Sequence, residues 1–156
     1  VAGITISSGD ANLKLYDGAG TTREITSGAN TGLKFEGLYP GFRDYGSFTF
    51  QNASLSPIKI ALTGRLTNAN GNWDELKNNI YVAVGEGTKE NMTANYTGWV
   101  SLNSWNASVR SLNVPSLAKD EVKTYNLYVY IPADVGNGIA GKSLTNVAFE
   151  IYGTQE

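Results

Sequence analysis

The chain has 156 residues, a length that fits one domain, and carries a net charge of −2 without any cysteine or histidine. These missing residue types exclude thiolate nucleophiles, disulfides and imidazole acid–base catalysis. The 12 Lys and Arg residues are scattered, so nucleic acid is not an expected partner. No apolar run is long enough to predict a membrane span.

The first segment, residues 1–7, has the alternation of a β-strand. Three apolar positions share one face: Ala2, Ile4 and Ile6. Eight extended residues span about 26 Å, enough to lie along a full strand of another molecule. The segment is either the first strand of its own sheet or a donor strand for a neighbouring subunit. In the second case the chain divides into a donor strand at 1–9 and a β-sandwich at 10–156.

Alternation of apolar and polar residues predicts strands along the rest of the chain. The clearest runs are, in chain order, 13–15, 48–50, 58–62, 80–84, 125–131 and 147–151. Trp99 and Val109 mark two weaker strands, and only 73–79 and 116–121 have the pattern of a helical turn. Turn residues such as Pro40-Gly41 separate the runs. Strands with one apolar face must bury it against a second sheet, which predicts an all-β, jelly-roll-type β-sandwich.

Two stretches carry a family resemblance. Residues 38–52, LYPGFRDYGSFTFQN, followed by 56–60, SPIKI, resemble the L-x-P-G-D, alternating strand, x-N, then I-K signature of the TasA/camelysin family of biofilm fibre proteins. Residues 122–137 look like the family's penultimate strand and its Asn turn, and the ending AFEIYGTQ is similar to the family's F-x-F-E-A-T-Q. Phe42 stands where the family usually has an Asp, although Asp44 follows two residues later.

The resemblance implies a jelly roll whose filaments form by donor-strand complementation, with Ala2, Ile4 and Ile6 in the donor strand. The expected partner is then a second copy of this chain. The name camelysin implies a metalloprotease for some members, but this chain has no His-Glu-x-x-His. We therefore expect no enzyme activity, no catalytic residues, no cofactor and no metal site.

Two other motifs favour ordinary loops. Residues 136–143 spell a Walker A string, yet the residues after it alternate as a strand, whereas a phosphate-binding loop needs a helix there. Residues 68–75 place oxygen ligands at alternate positions, but neutral Asn residues and a Gly at the fourth position depart from a calcium loop. We expect a glycine-rich turn and a solvated loop.

Surface features point to an exported protein. Val1 stands in place of an initiator Met, from which we expect that a signal segment has been removed and that the protein is secreted. Four sequons could carry N-linked glycans, and we expect glycans on at least two of them. They begin at Asn52, Asn91, Asn95 and Asn106.

Outward aromatic residues leave two interpretations open. Tyr128 and Tyr130 lie on the polar face of their strand, where they could pack across strands or make lateral contacts with another subunit. A monomeric carbohydrate-binding β-sandwich is the alternative function, with Trp73, Trp99 and Trp105 stacking on sugars. A hydrolase that uses acid pairs is a third, although no acid pair has a recognisable pattern.

Overall fold

The computed structural model describes residues 2–8, 12–25, 29–30, 37–86 and 98–156. The described strands are β1 (Ala2–Ser8), β2 (Leu13–Asp17), β3 (Ala29–Asn30), β4 (Arg43–Asn52), β5 (Ile60–Gly71), β6 (Tyr81–Gly85), β7 (Val100–Ser101), β8 (Arg110–Ser111), β9 (Val122–Tyr130) and β10 (Leu144–Gln155). Two short helices, α1 (Trp73–Leu76) and α2 (Leu102–Ala107), and a single 3₁₀ turn at Asn137–Ile139 complete the described elements. The prediction of a mainly β protein is confirmed.

The strands form two five-stranded sheets. Sheet A has the order β3-β1-β10-β5-β8, and sheet B has the order β2-β4-β9-β6-β7. Neighbouring strands are antiparallel in every described pair except β1 and β10, which are parallel. Consecutive strands lie in different sheets, except for β6 and β7, so the chain crosses between the sheets at almost every described connection.

One apolar core fills the space between the sheets. Phe48 and Phe50 enter it from sheet B, and Phe149 and Ile151 enter it from sheet A. Trp105 of α2 lies edge-on to Phe149 at 5.0 Å between ring centroids, and its indole N–H donates to the carbonyl of Val82. The period-2 alternation of these strands therefore builds the core directly.

The two weaker strands predicted around Trp99 and Val109 are only two residues long each, at β7 and β8. The helix α2 lies between them and was not predicted. It begins where the Ser101 hydroxyl accepts a hydrogen bond from the N–H of Ser104, an ordinary N-cap. The predicted helical turn at 73–79 is confirmed by α1, but 116–121 contains no helix, because Leu117 instead bridges to Ile60.

The two ends of this body differ in which strand termini they carry. At the Leu13 end, β2 and β5 begin and β4 and β10 finish. At the Tyr130 end, β4 and β10 begin and β9 finishes, next to the start of β6. Both β1 and β10 run from the Tyr130 end to the Leu13 end.

Candidate functional site

The strand β1 lies inside sheet A, between β10 and β3. Seven of its residues pair with β10, from Ala2 opposite Val147 to Ser8 opposite Gly153. On its other side, two of its residues pair with β3 within the described ranges. We call the position between β3 and β10 the β1 site.

Core residues line the β1 site along β10. The register places Ala2, Ile4 and Ile6 opposite Val147, Phe149 and Ile151, each of which is 3% exposed and belongs to the core. Residues that pair directly in a ladder lie on the same face of the sheet. The three apolar positions of β1 therefore lie on the core face, and the positions of Gly3, Thr5 and Ser7 lie on the outer face.

The outer face of β10 is polar at the middle of this site. Thr5 is opposite Glu150, whose side chain is half-buried, and Ser7 is opposite Tyr152. Partial burial raises the pKa of the Tyr152 phenol, and the neighbouring carboxylate of Glu150 adds to the rise. Glu150 thus places a carboxylate opposite the centre of β1, and Arg65 of β5 lies directly across from Glu150 on its other side.

Three residues, 9–11, separate β1 from Asn12, which is hydrogen-bonded to the body. The backbone N–H of Asn12 donates to the hydroxyl of Ser54, and its carbonyl accepts from the N–H of Ala53. Nearby, a Cβ on Gly153 would lie 2.9 Å from the Cβ of Leu13. The end of β1 and the start of the body therefore meet at the Leu13 end.

The structure removes Asn52 from the glycosylation candidates. Its side chain is fully buried, and its amide nitrogen donates to the carbonyls of Ile58 (2.8 Å) and Leu117 (3.0 Å). A glycan on this nitrogen is incompatible with the fold. Asn106 is half-buried and donates to the carbonyl of Leu66. Asn91 and Asn95 lie outside the described residues.

Tyr128 and Tyr130 lie on the outer face of sheet B, but both are buried. Asn126 donates its amide N–H to the hydroxyl of Tyr128, and the ring of Tyr45 lies 6.3 Å from the Tyr128 ring. The guanidinium carbon of Arg43 lies 5.1 Å from the centroid of the Tyr130 ring. The burial of both rings favours the first of the two interpretations, packing across strands, and lateral contact by these two tyrosines stays a prediction.

The three tryptophans do not form one sugar-binding platform. Trp105 is buried in the core, and Trp73 packs against the core from its edge. Trp99 instead lines a surface cleft of about 360 Å³ at the Tyr130 end. The cleft is also lined by Tyr81, Tyr130, Pro132 and Asp134. The position of this cleft could not be predicted, since its lining comes from three separate segments.

The loop motifs fall on ordinary elements. The Walker A string forms the 3₁₀ turn and then enters β10, so no helix follows it. The calcium-like segment forms the end of β5 and the start of α1, so the predicted solvated loop is wrong there. Across the described ranges, no three His, Cys, Asp or Glu side chains converge on a common point.

Comparisons with protein-family models, with curated proteins and with solved structures each gave no match to this chain. Neither described helix has the length and apolar character needed to cross a membrane.

Proposed function

We propose that this chain is the structural subunit of an extracellular filament, such as a pilus or a biofilm matrix fibre. In the filament, β1 of one subunit occupies the β1 site of the next subunit. The observation that supports this proposal best is the position of β1. It fills the gap between β3 and β10, yet only residues 9–11 link it to the anchored Asn12.

Withdrawal of β1 would expose core side chains and unpaired backbone groups of β10, so a replacement strand would bind there favourably. The side chains of Val147, Phe149 and Ile151 would lose cover, and each buried side chain of this size contributes about 1.5–3 kcal/mol. The backbone groups of β10 that face β1 would also lose their partners. An identical strand from a second copy satisfies both needs, because backbone hydrogen bonds give affinity and alternate side chains give register.

The resemblance to the TasA/camelysin family supports the same function. It covers the turn and strand of β4 and the whole C-terminal region through β9 and β10. The jelly-roll topology, the export of the chain and glycans at Asn91 and Asn95 belong to this proposal. It requires no cofactor, no metal and no catalytic group.

The test is to delete residues 1–8 and examine the product by electron microscopy and size-exclusion chromatography. We expect a soluble body that forms no filaments. A synthetic peptide of residues 1–8 should raise its thermal stability without restoring filaments, because a free peptide fills the β1 site but links nothing. A peptide with Ile4→Asp and Ile6→Asp is the matched control and should have no effect. Normal filaments from the truncated chain would contradict strand donation.

The Trp99 cleft favours a second candidate, carbohydrate binding by a monomer. Aromatic rings beside a carboxylate suit a pyranose ring, since the rings stack on its C–H face and Asp134 can accept from its hydroxyl groups. Soluble oligosaccharides should then change the tryptophan fluorescence of the intact protein but not that of Trp99→Ala. A monomer in solution that binds sugars and never polymerises would favour this function over the filament.

A further inference from the structure

We infer that β1 reverses its direction relative to β10 when it passes from its own sheet to that of a neighbour. It is parallel to β10 in the free subunit and antiparallel to β10 in the filament. This inference rests on the proposed function and adds the orientation of the donated strand and a consequence for the control of assembly.

The place where β1 joins the body decides the direction in which β1 can extend. Ser8, its last residue, lies opposite Gly153 at the Leu13 end, and the chain is anchored again at Asn12 at the same end. When β1 leaves its own sheet, it therefore extends from the Leu13 end. Its Ser8 stays close to its own body, and its Ala2 is the far tip.

The geometry of an open polymer decides which ends of two subunits meet. A filament needs head-to-tail contacts, because contacts between two copies of the same surface close into a dimer. The Leu13 end of the donor must then face the Tyr130 end of the acceptor. Ser8 of the donor enters near Val147 of the acceptor, and Ala2 reaches toward Gly153. This order is opposite to the one within a single subunit.

The link between β1 and its own body is too short for parallel insertion into a head-to-tail neighbour. Parallel pairing would place the donor's Ser8 at the far, Leu13 end of the acceptor, about 20 Å beyond the Tyr130 end for a seven-residue strand. From Ser8 to the anchored Asn12 there are four Cα–Cα steps, which span about 15 Å when fully extended. Parallel donation is therefore possible only when two Leu13 ends face each other. That arrangement is a closed exchange dimer, not a filament.

The reversal preserves the faces of the strand. A strand turned end for end within the plane of its sheet keeps the same side chains toward the core. Ala2, Ile4 and Ile6 therefore remain at core-facing positions. If Thr5 stays opposite Glu150, Ser7 moves from Tyr152 to Ala148. The long ladder with β10 becomes antiparallel, the slightly more stable form, whereas the pairing with β3, described at two residues, becomes parallel.

Because of the reversal, the free subunit cannot donate β1 without first detaching it from β10. A strand cannot turn around while it is paired, so all seven pairs with β10 must break before donation. Folded subunits should therefore assemble slowly, and preformed filament ends should accelerate the process by offering a vacant β1 site. The parallel pairing of β1 with β10 therefore imposes a kinetic barrier to polymerisation.

Engineered disulfides test the direction, because the chain has no cysteine of its own. Three double variants carry their pairs on the outer face: T5C/E150C, S7C/Y152C and S7C/A148C. The first pair is adjacent in either direction, the second only in the parallel one and the third only in the antiparallel one. Filaments are assembled under reducing conditions, oxidised, dissolved and analysed on non-reducing gels, beside free subunits treated in the same way.

We expect filaments of T5C/E150C and S7C/A148C to give ladders of covalently linked chains. S7C/Y152C should form its bond within one chain in free subunits and should give no ladder from filaments. A ladder from S7C/Y152C in place of S7C/A148C would overturn the reversal and leave strand donation intact. The absence of any interchain bond in T5C/E150C filaments would overturn the antiparallel register with Thr5 opposite Glu150, and filaments that also survive deletion of residues 1–8 would overturn strand donation itself. Covalent dimers without filaments would overturn both the reversal and strand donation in a filament, since they indicate a closed exchange.

Discussion

Three hydrogen bonds, two of them buried, tie the side chain of Asn52 to the loops at the Leu13 end. Its amide nitrogen donates to Ile58 and Leu117, and its carbonyl oxygen accepts from the N–H of Ser54. Buried backbone carbonyls are costly when they lose their donor. Asn52 therefore holds together the loop after β4 and the segment before β9, close to the anchor of β1.

Replacement of Asn52 by alanine should destabilise the protein by about 1–3 kcal/mol, since the Ile58 carbonyl loses this donor and the Ser54 N–H loses its acceptor, while the Leu117 carbonyl keeps the N–H of Ile60. The free energy of unfolding from urea titration measures the effect. Asn103→Ala is the control, because that side chain is exposed on α2, and it should change stability by less than about 0.5 kcal/mol. Equal effects of the two substitutions would show that the hydrogen bonds of Asn52 carry no net stability.

Tyr125 gives the protein a dependence on alkaline pH. Burial raises the pKa of its phenol above the ordinary value of 10.0, and the carboxylates of Glu86 and Glu121 raise it further. The folded state therefore holds this proton more tightly than the unfolded chain does. The resulting stability is complete below pH 10 and is lost as the pH rises through the folded-state pKa.

We expect Tyr125→Phe to lose less stability above pH 10 than the wild type, each compared with its own value at neutral pH. Glu86→Gln should give a smaller change in the same direction, because it removes one cause of the raised pKa. Thermal unfolding followed by circular dichroism at a series of pH values makes the comparison. Superimposable alkaline profiles for all three proteins would contradict the assignment.

At the scale of elements, β10 approaches β2 closely at Gly153. A Cβ at this position would lie 2.9 Å from the Cβ of Leu13 and 3.0 Å from the Cγ2 of Ile60. Both neighbours are buried, so neither can move away without disturbing the core. The two sheets therefore come together at the Leu13 end only because this residue has no side chain.

Gly153→Ala should destabilise the protein by about 1–3 kcal/mol through overpacking. Gly138→Ala is a matched control, because a Cβ there meets no atom within 4 Å and its backbone does not require glycine. The control should stay within about 0.5 kcal/mol of the wild type. Chemical denaturation of both variants measures the difference, and a neutral Gly153→Ala would show that the sheets separate easily at this end.

The register of β1 predicts how single charges affect assembly. Ile4→Asp and Ile6→Asp should each block filament formation, because each position lies on the core face and an unpaired buried carboxylate costs several kcal/mol. Thr5→Asp should be tolerated far better, with a small penalty from Glu150 opposite. Thr5→Lys should assemble like the wild type, since its charge is opposite to that of Glu150.

Sedimentation and electron microscopy of these four variants separate a strand in a fixed register from a loosely adhering tail. A tail would respond to charge at every position alike. A larger defect at Thr5 than at Ile4 or Ile6 would show that the opposite face of β1 meets the core.

Alternation predicted β4, β5, β6, β9 and β10, because each has one face in the core and period 2 records that directly. The helix α2 escaped prediction because its six residues bury only Leu102 and Trp105, too few to establish a period. Alternation placed Tyr128 on the outer face but carries no information about what covers that face. The pairing of β1 with β10 could not be predicted from alternation either, because it joins the first and last described strands.

At the scale of the whole molecule, the free subunit is closed by its own strand. We therefore expect the yield of filaments to depend on whether the chains start folded or unfolded. Refolding from denaturant at high protein concentration should give more filaments than folded subunits concentrated to the same level. During refolding, the β1 site can receive a neighbour's strand before its own strand docks. Light scattering follows both reactions, and equal rates from the two starting states would remove the barrier that the paired strand is expected to impose.

The neighbouring positions of β1 and β10 also have a consequence for biosynthesis. The ribosome makes β1 ahead of every other described strand and β10 after them, so the first strand must wait for nearly the whole chain before its partner exists. Contacts between such distant segments form late, because a long loop must be closed first. Under the proposed strand donation, each new chain passes through an interval in which it can both give and receive a strand. Crowded emerging chains would assemble during that interval, whereas isolated ones would mature into closed monomers.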